Sequence, residues 1–175
     1  LYESPHYDTM IKLQENHLLG NVIHIEQKIL YSSAMIETLA ARVKFSVGLH
    51  SEGLRIYKAA LIIYPQHRAL IYDYAAALLY DGSQKEALKF INQQLRFTPN
   101  DISLYQLQAQ AYQADGNTML LHRALAESYI RLGDLPRAIN QLELALSSGD
   151  GDFYEISSAE SRLKMLRRRL SFSGE

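Results

Sequence analysis

The sequence contains no cysteine, only four prolines and no apolar run of the length that a membrane-spanning helix requires. Without cysteine, disulfides, thiolate catalysis and cysteine-ligated metals are all excluded. A helix that crosses a bilayer needs about 20 consecutive apolar residues, so we expect no direct membrane insertion. Few prolines and few β-branched runs argue against a sheet and leave helices free to continue. These absences indicate a helical chain without thiol chemistry.

Neither sign of charge is in large excess, because the formal net charge is −1 over 175 residues. Such a balance gives no global attraction to nucleic acid, and we expect no nucleic-acid partner. Hydrophobic residues make up 47% and charged residues 21%, which is typical of a soluble globular chain. The first residues, LYESPHYDTM, contain neither an initiator methionine nor a signal-peptide pattern. We therefore interpret the chain as a processed form or a fragment of a longer protein.

What the chain does contain is helix-forming residues, with apolar positions recurring every three or four residues. Three residue types also recur with a period of 34 residues. They are the alanines Ala41, Ala75 and Ala109, the glycines Gly48, Gly82 and Gly116, and the prolines Pro65 and Pro99. A small residue lets helices approach closely, glycine ends a helix in the left-handed conformation, and proline prevents its continuation. The period therefore predicts repeated pairs of helices.

The turns between these helices carry capping signals. Ser83 follows Gly82 and stands three residues before Glu86, which is the spacing of a capping box. Asn100 or Asp101 follows Pro99 and could accept a hydrogen bond from the first turn of the next helix. We expect one helix to begin after Ser83 and another after Asp101.

This pattern resembles the tetratricopeptide repeat (TPR). The matching residues of the first unit are Ala41, Gly48, Gly53, Tyr57, Ala60 and Pro65, with Gly53 standing where the repeat usually has alanine. The second unit matches with Ala75, Gly82, Ala87, Ile91 and Pro99. The resemblance implies an all-α fold, a right-handed superhelix of about nine or ten helices in antiparallel pairs.

The repeat changes phase near the end of the array. Gly133 follows Gly116 after only 17 residues, which is half a period. Counting from Met119 restores the pattern, with Ala126, Tyr129, Gly133, Ala138, Leu142 and Ala145. The helix over 119–132 is therefore predicted to serve two units, which leaves open whether Arg123, Glu127 and Arg131 face the groove.

The expected organisation follows from these units. Residues 1–33 form N-terminal helices or a linker from a preceding domain, 34–153 form the array with units 34–67, 68–101, 102–132 and 119–150, 154–170 form a capping helix, and 171–175 form a tail.

The C-terminal units resemble one family more closely, the repeat domain of BepA-like periplasmic zinc metallopeptidases. The resemblance rests on His122, Ala124, Glu127, Tyr129, Gly133, Asp134, Ala138, Gln141, Leu142, Ala145, Phe153, Tyr154, Arg162 and Leu163. It implies a periplasmic parent acting in outer-membrane protein assembly and quality control, with zinc held by an H-E-x-x-H helix in another domain. That motif does not occur in this chain, so we expect no enzymatic activity and no cofactor here. A stand-alone TPR adaptor of an assembly or secretion machine is the alternative.

In a TPR array the first helix of each unit lines the binding groove. The residues that fall at those positions and that we select as candidates are Arg42, Phe45, Tyr72, Leu79, Tyr80, Gln106, Gln110 and Gln113. Aromatic anchors beside amide groups suit an extended polypeptide or a partner helix. The expected partners are the protease domain itself, an unfolded outer-membrane protein or an assembly complex.

Other residues that could carry chemistry have simpler interpretations. His17 and His24 lack the further ligands that a structural metal site needs, and we expect no metal. We interpret His122 as a packing or hydrogen-bonding residue, and GDGDFYE as a turn that lacks the calcium-loop pattern. The one basic run, with Arg162, Lys164, Arg167, Arg168 and Arg169, is interpreted as a solvated helix face.

Overall fold

The computed structural model describes residues 34–173, and these residues form eight α-helices and no strand. The helices are α1 (34–46), α2 (His50–Ile63), α3 (Arg68–Tyr80), α4 (Gln84–Phe97), α5 (Ile102–Asp115), α6 (Thr118–Leu132), α7 (Leu135–Ser147) and α8 (Phe153–Ser173). The all-α, TPR-like fold class predicted from the sequence is confirmed. The predictions for residues 1–33 and for the end of the tail lie outside the described residues.

The chain divides into two compact units, Leu1–Leu70 and Ile71–Glu175. The described part of the first unit contains α1, α2 and the start of α3. In the second unit each helix from α4 to α8 packs on the next one. The turns between these helices have two to five residues, so neighbouring helices run antiparallel.

The predicted glycine terminators are confirmed. Gly48, Gly82, Gly116 and Gly133 follow the ends of their helices with φ between 77° and 80°. Only glycine adopts this left-handed conformation without a Cβ penalty. After Gly116, for example, the Asn117 N–H donates to the carbonyl of Tyr112 at 3.0 Å. The glycine period therefore does set the helix ends, as the sequence predicts.

The capping prediction is right at one turn and wrong at another. The Asp101 carboxylate accepts a hydrogen bond from the N–H of Leu104 at 3.3 Å and so caps α5. Ser83 stands at the N-cap of α4, but its side chain makes no capping hydrogen bond. Glu86 instead accepts a hydrogen bond from the Tyr74 hydroxyl at 3.3 Å. The reciprocal bond of a capping box is also absent, since the Ser83 N–H donates to the carbonyl of Leu78 at 2.8 Å.

The core of the second unit alternates small and large side chains. Ala75, Ala109 and Ala126 are at most 2% exposed, which confirms that the small-residue positions bring helices close together. One apolar cluster joins α6, α7 and α8, and it includes Met119, Leu142 and Leu166. The last helix is therefore fixed by core packing as well as by surface contacts.

Gly53, the departure from the usual alanine, lies in the first unit beneath an aromatic ring. A Cβ at this position would meet Cδ2 of Phe45 at 2.4 Å and the carbonyl oxygen of Ala41 at 3.1 Å. The Phe45 ring stacks on His50 with centroids 5.1 Å apart, and it lies 6.2 Å from Tyr57. Phe45 therefore occupies the volume that an alanine side chain normally fills.

We predict that Gly53→Ala lowers the free energy of unfolding by about 1–3 kcal/mol, since the methyl group overpacks the Phe45 ring. Helix propensity alone predicts the opposite sign, a gain of about 1 kcal/mol. Thermal unfolding of Gly53→Ala and of the double variant Gly53→Ala/Phe45→Leu distinguishes the two effects. The double variant should recover part of the loss, and a stabilised single variant would contradict the packing argument.

No helix in the described range 34–173 is both long and apolar enough to cross a membrane.

Candidate functional site

The two candidate groove residues of the first unit have different surroundings. Phe45 is half-buried and committed to packing on Gly53 and His50. Arg42 is exposed and lines a pocket of about 550 Å³ whose wall is mostly apolar, with Met35, Ile36 and Leu39. Of the two, Arg42 is the residue that a ligand of this unit could reach.

The candidate groove residues on α3 also differ in how far their side chains are buried. Tyr72 is half-buried, and its hydroxyl donates to the Asp101 carboxylate at 2.6 Å. Since Asp101 also caps α5, Tyr72 has a structural role at this turn. Leu79 is half-buried, whereas Tyr80 is 73% exposed. Tyr80 is thus the α3 candidate that is most open to a partner.

The three glutamines of α5 are exposed, and they are not among the residues that line the pocket of the first unit or the pocket described next. Gln106, Gln110 and Gln113 lie on one face of the helix, and a different face contributes Tyr105 and Tyr112 to a pocket. The predicted surface therefore exists as an exposed polar face. Its role as a groove stays a prediction.

A pocket of about 570 Å³ lies in the second unit, where α4, α5, α6 and α8 contribute side chains. We call it the Arg123 pocket. Its wall includes Tyr105 and Tyr112 from α5, Arg123 and Glu127 from α6, and Arg162 from α8. Leu95 and Met165 add apolar surface. It combines a cationic wall with aromatic and aliphatic surface.

The orientation of α6, which the sequence left open, is visible here. Leu120, Arg123 and Glu127 all face the Arg123 pocket. They stand at positions two, five and nine counted from Met119, which are groove positions of the repeat that begins there. At this wall α6 therefore presents the groove face that is expected if it is the first helix of the unit 119–150.

Glu127 is held by two arginines. Its Oε1 and Oε2 accept hydrogen bonds from Nε and Nη2 of Arg162, each at 2.9 Å. Its Oε2 also contacts Nη1 of Arg131, one turn further along α6. Glu127 is 22% exposed and Arg131 is 17% exposed, so the cluster is screened from water more than a surface pair is. The bidentate geometry fixes α8 against α6.

Arg131 extends this cluster to the turn between α4 and α5. Its Nε donates to the carbonyl of Pro99 at 3.0 Å, and its Nη2 donates to the Tyr105 hydroxyl at 3.0 Å. The guanidinium carbon lies 4.4 Å from the centroid of the Tyr105 ring. Burial raises the pKa of Tyr105 above its usual value, and this ring stays neutral near pH 7.

Arg123 differs from these two arginines. It is half-buried, and it makes no hydrogen bond or ion pair with any residue that the structure describes. Burial raises the pKa of the neighbouring Tyr112 phenol, while the positive charge of Arg123 acts in the opposite direction. Its guanidinium donors are thus available to a ligand in the pocket.

The N-terminus of α6 is fixed from the turn before α8. The two carboxylate oxygens of Asp150 accept hydrogen bonds from the N–H groups of Thr118 at 2.6 Å and Met119 at 2.9 Å. A hydrogen bond from Ser148 and these backbone N–H groups hold the pKa of Asp150 below its usual value. A carboxylate at a helix N-terminus is also favoured by the helix dipole.

The interpretation of the basic run as a solvated face is wrong for Arg162, which is half-buried and binds Glu127. Arg167 is exposed, as expected, and donates to Glu143 of α7 at 2.7 Å in a surface ion pair. Arg168 and Arg169 are exposed, as expected. The sequence could not predict the pair of Arg162 and Glu127, because the two residues are 35 positions apart and lie on different helices.

His122 makes the kind of contact that the sequence analysis predicts. Its Nδ1 lies 2.8 Å from Oε1 of Gln141, which joins α6 to α7. Within residues 34–173, no group of three or more His, Asp or Glu side chains is placed to hold a metal ion.

Residues 45–111 match the tetratricopeptide repeat family. This part of the chain therefore has the sequence pattern of TPR repeats. Comparison with curated proteins finds no match. Among solved structures, a thermophilic TPR protein of Thermus thermophilus is 20% identical over 79% of this chain and 84% of that chain, with a TM-score of 0.40. The matched region of the repeat family ends within α5, so the phase change and the Arg123 pocket lie mostly beyond it.

We predict that Glu127→Gln lowers the free energy of unfolding by about 1–3 kcal/mol, because it removes the carboxylate shared by Arg131 and Arg162. Glu143→Gln is the matched control, since it removes an exposed partner of Arg167 and should cost at most about 1 kcal/mol. Urea unfolding monitored by circular dichroism measures both. Equal losses in the two variants would contradict the special role of Glu127.

We also predict a pH-dependent effect at Asp150. Because folding lowers its pKa, its contribution to stability is present above the ordinary value of 3.8 and is lost as pH falls through the lowered folded value. Asp150→Asn should therefore lower the melting temperature at neutral pH, and the difference from wild type should shrink in acid. Asp115→Asn, on an exposed residue at the end of α5, is the control. A difference that is independent of pH would contradict the assignment.

Proposed function

We propose that this chain is a non-catalytic TPR module that binds an extended polypeptide segment in the Arg123 pocket. The observation that carries the proposal is the half-buried Arg123 guanidinium, which faces a pocket and has no partner among the described residues. Solvent reaches its guanidinium nitrogens, and a ligand that offers hydrogen-bond acceptors can replace that water.

The chemistry of the pocket favours binding over catalysis. Glu127 is the carboxylate of its wall, and both of its oxygens already accept hydrogen bonds from arginines. A general base needs a free oxygen within reach of a substrate proton. We therefore assign Glu127 a structural role, and we infer no enzymatic activity for the domain.

The shape and lining suit a peptide. Tyr105, Tyr112 and Met165 offer apolar surface for side chains, and the hydroxyls of Ser158 and Ser161 can pair with a peptide backbone. TPR-type repeats present such surfaces on rigid helix pairs, so binding costs little conformational entropy of the protein itself.

The location of the binding surface can be tested by NMR with a pool of random hexapeptides that have acetylated and amidated ends. We expect peptide to shift the signals of α5, α6 and α8 around Tyr112, Arg123 and Met165. The exposed face of Gln106, Gln110 and Gln113 should be unaffected. Shifts confined to that glutamine face would instead support the groove that the sequence predicts, and would contradict the Arg123 pocket.

For the whole protein we propose the role that the sequence resemblance implies. The repeats would belong to a zinc metallopeptidase of the bacterial periplasm that acts in outer-membrane protein assembly and quality control, and zinc would be bound by its protease domain. The module would recruit an unfolded outer-membrane protein or an assembly complex, or dock on the protease domain. A stand-alone TPR adaptor accounts for the same repeats.

The reading frame upstream of Leu1 separates these two roles. An H-E-x-x-H sequence in frame supports the metallopeptidase parent. A start codon close to Leu1 supports the stand-alone adaptor and contradicts the metallopeptidase proposal. Either result leaves the binding role of the Arg123 pocket intact, because that role depends only on residues of α4 to α8.

A further inference from the structure

The first described helix, α1, has an exposed apolar face, and we propose that residues 22–29 of the same chain cover it. Four large side chains form this face, and each is 51–66% exposed: Met35, Ile36, Leu39 and Val43. We call it the α1 apolar face. It belongs to the compact unit Leu1–Leu70 and shares no residue with the Arg123 pocket, so the proposed function does not depend on it.

Helix α1 is apolar on two sides. Ala34, Thr38 and Ala41 lie on its buried side and are at most 8% exposed. Consecutive residues of a helix stand about 100° apart, so Met35 and Leu39 point to a different side. A surface helix of a globular protein usually has one apolar stripe and polar residues elsewhere. A second, exposed apolar stripe therefore indicates a contact with another segment or partner.

The C-terminal end of the chain shows how such a face is covered. Helix α8 buries Ala159, Leu163 and Leu166 in the apolar cluster that it shares with α6 and α7. The last repeat of a solenoid needs such an element, because inner repeats are covered by neighbours on both sides and terminal repeats are not. The described range begins with α1, and residues 1–33 are joined to this end. They are the part of the chain placed to play the same role.

The sequence before α1 contains a matching apolar row. Val22, Ile25 and Ile29 recur after three and four residues, which is the spacing of one helix face. Only residues 30–33 lie between this row and α1, and connections of that length join antiparallel neighbours throughout the described fold. Members of the α1 apolar face also line the pocket of about 550 Å³, which gives side chains of the row a recess to enter.

The covalent connection favours this segment over a second copy of the chain. A segment joined directly to α1 binds in an intramolecular step, at an effective concentration that a separate molecule reaches only in the millimolar range. An antiparallel arrangement about residues 32 and 33 places Val22 opposite Val43 and Ile29 opposite Ile36. The row and the face therefore agree in spacing as well as in polarity.

The test uses the full chain, which contains no cysteine of its own. Val22→Cys/Val43→Cys should form an intramolecular disulfide under mild oxidation, because facing residues can reach the Cα separation of at most about 7 Å that this bond requires. Ile23→Cys/Val43→Cys is the matched control. Its loop is only one residue shorter, but Ile23 lies off the row, so most of its thiols should stay free. Mass spectrometry counts the thiols and identifies the linked residues.

A second measurement is independent of the register. If the face is covered, Val43→Gln should lower the melting temperature by several degrees, and the loss should not depend on protein concentration. Circular dichroism confirms that each variant is folded.

Three results would overturn the proposal. Equal disulfide formation in the two cysteine pairs would show that the segment presents no fixed side to α1. A disulfide-linked dimer of the single variant Val43→Cys, with a concentration-dependent melting temperature of the wild type, would assign the face to a second copy. A Val43→Gln variant as stable as the wild type, with no disulfide in either pair, would show that the face stays open to solvent.

Discussion

The ion pair of Glu127 with Arg162 and Arg131 is the contact on which the C-terminal half of the structure depends. Through Arg162 it fixes α8, and through Arg131 it reaches the Pro99 carbonyl at the turn between α4 and α5. A carboxylate with two cationic partners in a partly screened position keeps both arginines satisfied. Because Arg131 and Arg162 are occupied, Arg123 is the arginine of the pocket wall that makes no hydrogen bond to any residue in the described range.

This arrangement gives the phase change in the repeats a physical meaning. Only one helix, α6, lies between Gly116 and the next terminating glycine, Gly133. The repeat therefore restarts at Met119, and α6 presents the groove positions counted from that residue. The pocket forms where this face of α6 meets α8, which follows the last repeat. A helix that covers the end of an array thereby also supplies a wall of the candidate site.

Much of the fold could be predicted from the sequence, because its signals are local. Gly48, Gly82, Gly116 and Gly133 end helices for a reason that lies in their own backbone, and buried Ala75 and Ala109 follow from the period. The site could not be predicted in the same way. The Arg162–Glu127 pair joins residues far apart in sequence, Gly53 makes room for Phe45, and the exposed glutamines of α5 lie on a different face from the pocket.

The central claim is that a polypeptide binds beside Tyr112 rather than along the exposed glutamines two residues away. Photo-crosslinking tests it most directly, with a photoreactive residue placed either at position 112 or at position 110 and a pool of random end-blocked hexapeptides. The account predicts cross-linked peptide from position 112 and little from position 110. Efficient cross-linking from position 110, with none from position 112, would contradict it.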